Sequence, residues 1–189
     1  MKEMFDEFKT ESNLIFVDPA MADNGKLYPA FDEAFAKYMG TLCAKADIIV
    51  PNITEAAFMT GIEYKENYDE EYVKTMLKAL AAAGTKICIL TGISFEEGVT
   101  GVMGYDSEND EFYYYSHKKH PRSYHGTGDI FSSTCIGAMM NGMDWKEAVA
   151  VAADYTAECI RVTYEDPNGI TYGVNFEKVV PYLLKRIGK

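Results

Sequence analysis

Three short apolar runs, each bordered by polar residues and separated by helix-length sequence, most constrain how this chain folds. They are residues 14–18 (LIFVD), 47–50 (DIIV) and 86–91 (KICILT). An apolar run that ends abruptly in a carboxylate or hydroxyl has the form of a buried parallel strand. Between the runs lie segments at 31–44, 55–60 and 69–83 with helical spacing of apolar residues, the last followed by Gly84 as a stop. Strand and helix in alternation predict an α/β fold with a mainly parallel central sheet flanked by helices.

Beyond the third run the pattern changes. Residues 99–105 and 111–117 alternate around the polar turn 106–110, which predicts an antiparallel hairpin near the sheet edge. Tyr113-Tyr114-Tyr115 within it fits cross-strand packing better than a base-stacking platform. Two helices follow, 130–141 and 145–164, with Asp144 and Glu147 as a capping box for the second; a final helix at 176–187 follows Asn175 as its cap. With 189 residues and no repeat or linker, residues 1–189 read as a single domain.

Charge and composition narrow the function. A net charge of −11 argues against a nucleic-acid partner, whose phosphates the surface would repel. No stretch approaches a membrane span, and residues 1–8 mix charges with apolar residues unlike a secretory signal, so a cytoplasmic protein is expected. Cys43, Cys88, Cys135 and Cys159 stand apart in apolar surroundings and read as reduced core thiols. The three histidines lie on a strand end and loop, not on one helical face, so they predict no metal site.

Polar residues gather where a parallel sheet binds its ligands, beyond the carboxyl ends of the strands. Asp18-Pro19 closes the first run, Pro51-Asn52-Ile53-Thr54-Glu55 follows the second and Thr91-Gly92 the third. Taken singly, each serves as a turn or a cap. The chemistry comes from His125-Gly126-Thr127-Gly128-Asp129, which sets two glycines and a carboxylate at a helix start. Unpaired amides there attract anions, glycines admit a close phosphate, and the aspartate can take a proton from an attacking hydroxyl. Residues 117–125 add three fixed cations and all three histidines, a basic loop suited to a polyphosphate. The combination predicts phosphoryl transfer.

The ordered motifs VDPAMADNGKLY at 17–28, PNITE at 51–55 and GTGD at 126–129 resemble those of the ribokinase-like superfamily, and best its pyridoxal/pyridoxamine (vitamin B6) kinases. The resemblance implies ATP-dependent phosphorylation of the primary hydroxyl of pyridoxal, pyridoxamine or pyridoxine in vitamin B6 salvage, with Mg²⁺ as cofactor. It makes Asp129 the base and the amides of Gly126, Thr127 and Gly128 the stabilisers of the transferring group. Asp18 and Glu55 would hold the metal, largely through water. Asn52, Thr91 and Asp23 would face the nucleotide phosphates, and Arg122, Ser123, Tyr124 and His125 match a segment that covers ATP. Members often carry glycine where Ala22 stands.

Relatives of this kind begin with an additional αβ section that supplies the first strands and most contacts to the pyridine ring; the motifs here open on the helix before the Asp-Pro strand. The N-terminal part of the fold is therefore expected to be missing, the strand at 14–18 to present an edge, and the chain to associate, as a homodimer. Alternatives are a hydroxymethylpyrimidine kinase and a non-catalytic nucleotide-binding fragment. A dinucleotide oxidoreductase ranks last, because no Gly-x-Gly-x-x-Gly follows a first strand.

Overall fold

The computed structural model describes residues 1–168 and 172–189. It divides into two compact units, Met1–Phe95 with Met103–Tyr114, and Glu96–Val102 with Tyr115–Lys189.

The first unit is built on a five-stranded sheet in the order β1 (Phe16–Val17), β4 (Ile48–Ile49), β5 (Ile87–Ile93), β6 (Val99–Asp106), β7 (Glu111–Lys118). The three predicted runs become β1, β4 and β5, paired in parallel: Phe16 opposite Ile48, and Ile49 opposite Cys88. The ladder at β1 is only two residues long, shorter than the 14–18 run, and β1 forms the sheet edge. At the other edge, β6 and β7 are adjacent and joined by four residues, a connection that only antiparallel strands allow. Their outer halves, from Val99 to Val102 and from Tyr115 onward, belong to the second unit.

Local chemistry explains the helices of this unit. α1 (Lys2–Phe8) buries no side chain, leaving Met4 and Phe8 exposed. α2 (Glu33–Cys43) and α4 (Glu70–Ala82) start at Asp32 and Asp69, whose carboxylates accept the amides of Phe35 and Tyr72. α4 buries Val73, Met76, Leu77 and Leu80, a stripe at helical period that packs with Ile49, Cys88 and Leu90 of the sheet. α3 (Ile53–Thr60) starts two residues before the predicted 55, with Asn52 as its cap, and ends at Gly61 with φ 76°. Two further strands, β2 (Ala22–Asp23) and β3 (Lys26–Leu27), form a separate antiparallel hairpin absent from the sequence reading. Its turn is Asn24-Gly25, both at positive φ, as a two-residue hairpin demands.

The second unit is helical. α5 (Thr127–Met140) starts three residues before the predicted 130, and α6 (Trp145–Glu165) follows Asp144, which accepts the amides of Lys146 and Glu147. The C-terminal segment is a 3-10 turn (Phe176–Val179) followed by α7 (Val180–Arg186) rather than one helix. Asn175 does not cap it; its amide donates to Thr163 Oγ1 at 2.8 Å. Tyr124, Tyr155, Cys159, Val174 and Val179 form the core, and Asp154 ties Tyr115 at 2.7 Å and Arg186 to α6.

All four cysteines are buried and unpaired, and burial pushes the thiols of Cys43, Cys88 and Cys135 up to about 12. Across the β6–β7 pair Phe112 packs against Tyr105 at 4.5 Å, whereas Tyr114 packs against Phe95 in the β5–β6 connection at 5.1 Å. Among the described residues, no helix is long and apolar enough to cross a membrane.

Candidate active site

In the first unit, Asp18, Asn52 and Thr91 lie at or just past the carboxyl ends of β1 and β4 and within β5. Asn52 and Thr91 form a parallel bridge, and the Thr91 amide donates to Pro51 O at 3.0 Å. The turn after β4 thus continues the sheet by one residue before α3 begins, which holds the Asn52 side chain at the rim. Asn52 Oδ1 accepts the Glu55 amide at 2.9 Å, while its Nδ2 donates to Ala22 O at 2.8 Å.

Glu55 lies deeper than its sequence position suggests, at 4 % exposure. Its Oε2 accepts the Asn52 amide at 2.8 Å; its Oε1 accepts those of Met21 at 2.9 Å and Ala22 at 3.4 Å. Burial pushes its carboxyl up; the amides of Asn52, Met21 and Ala22 pull the other way, and the nearby Asp18 charge adds to the rise. Asp18 is half-buried. Asp23 is exposed and turned onto its own hairpin, accepting the Asn24 amide at 2.8 Å. The positive φ of this turn falls on Asn24 and Gly25, so Ala22 meets no backbone demand for glycine. Among the described residues, no group of three or more His, Cys, Asp or Glu gathers as a metal centre.

In the second unit the Gly-Thr-Gly-Asp motif is the first turn of α5. Gly126 is its N-cap at φ 81°, a conformation open to glycine, and no side chain caps the start. A methyl group at Gly128 would meet nothing within 4 Å; one at Gly126 would meet only Asp129 Oδ2, at 3.9 Å. The glycines therefore leave room above uncapped amides, a cradle for an anion. Asp129 is exposed in that first turn.

The approach to this turn is anchored. Tyr124 is 8 % exposed in the core of the unit, with Arg122 over its ring at 5.4 Å. Thr127 Oγ1 donates to Tyr124 O at 3.3 Å. The His125 amide donates to Tyr172 O at 3.2 Å, and the two rings lie 5.2 Å apart. Ser123 is exposed. Sequence reasoning missed Tyr172, which no local signal marks; Thr54, expected as a helix cap, lies inside α3 behind the true cap Asn52, and its Oγ1 accepts the Gly25 amide at 3.0 Å.

The family described as phosphomethylpyrimidine kinase matches residues 1–174. A pyridoxal kinase of Dictyostelium discoideum is 31 % identical over 145 residues, covering 69 % of this chain and 46 % of the relative. A hydroxymethylpyrimidine/phosphomethylpyrimidine kinase of Helicobacter pylori is 27 % identical over 164 residues, covering 85 % and 58 %. The chain thus spans about half the length of the curated relatives it matches. Among solved structures, a Bacteroides thetaiotaomicron protein assigned as a phosphomethylpyrimidine kinase superposes with a TM-score of 0.91 at 31 % identity, covering 96 % of this chain and 63 % of that one. A second crystal form of it was solved with pyridoxal.

Proposed function

The chain belongs to the phosphomethylpyrimidine kinase family, and from that premise we propose that it serves ATP-dependent phosphorylation of the primary hydroxyl of a vitamin B6 compound, pyridoxal, pyridoxamine or pyridoxine. The observation that carries the reading is the uncapped, glycine-opened start of α5 with an exposed Asp129 in its first turn.

Asp129 takes the proton of the substrate hydroxyl as that oxygen bonds to the γ-phosphorus and the bridge to the β-phosphate breaks. Amides of Gly126, Thr127 and Gly128 meet the charge spread over the transferring oxygens. Asn52, Thr91 and Asp23 are assigned to the nucleotide phosphates, and Arg122, Ser123, Tyr124 and His125 to the segment over ATP. Mg²⁺, when bound, neutralises phosphate charge, and Asp18 is the carboxylate that faces its water shell. Glu55, the other carboxylate implied for the ion, already accepts three amides.

A coupled assay of ATP consumption with pyridoxal, pyridoxamine, pyridoxine and hydroxymethylpyrimidine tests the reading. Turnover falls about 10²–10⁴-fold in Asp129→Ala; equal turnover in both chains removes the mechanism. Preference for hydroxymethylpyrimidine is the second reading, favoured by the Helicobacter relative. ADP binding without turnover marks a nucleotide-binding portion of such a kinase, consistent with the length covered. A cytoplasmic homodimer completes the proposal, the dimer covering the β1 edge; light scattering that finds a monomer at micromolar concentration overturns that part.

A further inference from the structure

We propose that Glu55 is a positioning residue, a charged strap that holds the β2–β3 hairpin against the head of α3, and not a ligand of the metal ion. The assignment of a nucleotide and Mg²⁺ rests on the function proposed above; the strap itself does not.

Both carboxylate oxygens are engaged by backbone amides. Oε1 receives the Met21 and Ala22 amides and Oε2 the Asn52 amide, in a residue 4 % exposed. Moving Oε1 onto an ion would leave the amides of the fully buried Met21 and Ala22 without this partner, and moving Oε2 would release the half-buried Asn52 amide, a costly exchange. Charge-assisted bonds to backbone amides are the stronger kind, which suits a fixed anchor. The other contacts of the strap lie on either side. Asn52 Nδ2 holds Ala22 O at 2.8 Å, and Thr54 Oγ1 holds the Gly25 amide at 3.0 Å. The cap and two first-turn residues of α3, Asn52, Thr54 and Glu55, therefore grip one hairpin, whose two-residue strands could not stay folded alone. That grip sets the path from Asp18 to Asp23, and so the direction of both carboxylates assigned to the nucleotide and its ion.

Glu55→Gln separates a strap from a ligand. Glutamine keeps the shape, but its amide nitrogen is a donor facing donors. In the ligand-free chain, hydrogen exchange at Met21, Ala22 and Asn52 accelerates by about tenfold or more, with β4 and β5 unchanged. ADP binding, measured by calorimetry with and without Mg²⁺, weakens about equally in both conditions, so the Mg²⁺ dependence survives. Asp18→Asn does the reverse, losing the Mg²⁺ dependence with normal exchange at Met21. Glu55→Asp, charged but one methylene too short, does not restore exchange. Unchanged exchange in Glu55→Gln, or loss of its Mg²⁺ dependence, overturns the strap. Should Glu55→Gln fail to fold, the wild-type chain decides: exchange at Met21 and Ala22 that is unchanged or slowed by Mg²⁺ with ADP supports the strap, and acceleration refutes it. A wild-type chain that binds no ADP refutes the proposed function while the exchange comparison still judges Glu55.

Discussion

Gly128→Ala should make the protein more stable and less able to bind nucleotide. Gly128 is the second residue of α5, and a methyl group there meets nothing within 4 Å, so the substitution introduces no clash. Alanine restricts the unfolded chain and suits a helix better, a gain of about 0.4–1 kcal/mol. An unfolding entropy of roughly 2.1 cal/mol/K per residue gives about 0.4 kcal/mol/K for a chain of 189 residues, so Tm rises by about 1–3 °C. On the same scale, a nucleotide at about a hundred times its Kd stabilises the wild-type chain by about 2.7 kcal/mol, roughly 7 °C. The new methyl group occupies the space over the amides where phosphate oxygens approach, and one such donor is worth about 2.7–4 kcal/mol at a transition-state oxyanion, comparable to the whole nucleotide shift. The nucleotide-induced rise should therefore vanish. Thermal melts of both chains with and without a non-hydrolysable ATP analogue, which carries the γ-phosphoryl these amides are assigned to, measure the two effects together. A variant that melts below wild type, or that keeps the full nucleotide shift, refutes the view that this glycine exists for a ligand rather than for packing.

Two further predictions concern the frame around the site. Burial works against the charged form of Asp47, but the Ile15 amide at 2.8 Å and the Lys9 ammonium outweigh it and hold the carboxyl below its usual range. Its contribution is present above pH 4 or so and is lost as pH falls through the lowered value, so Asp47→Asn should cost about 1 kcal/mol at pH 7 and progressively less below about pH 4 in urea titrations. Gly25 sits at φ 75°, and a Cβ there would approach the Tyr64 ring to 2.9 Å. Gly25→Ala should cost about 2 kcal/mol or more, falling to about 1 kcal/mol in a Tyr64→Ala background where only backbone strain remains; equal costs in the two backgrounds would show that the ring plays no part.

What could be read without coordinates is local. Asp32, Asp69 and Asp144 bond amides two or three residues ahead, so each helix carries its own start signal, and a parallel strand such as DIIV carries its burial in its composition. The Gly-Thr-Gly-Asp turn is equally local: the conformations that glycine alone favours and the orphan amides of a first turn follow from a few consecutive residues. The β2–β3 hairpin escaped because each strand is two residues long, too short for any alternation to register. Tertiary structure alone decided that Glu55 faces the amides of Met21 and Ala22, thirty-four and thirty-three positions away. It alone decided that Tyr124 turns inward while Asp129 stays exposed. Residue type sets what a side chain is able to bond, but which partner it meets depends on long-range packing, and a sequence pattern with a reach of a few residues does not encode that choice.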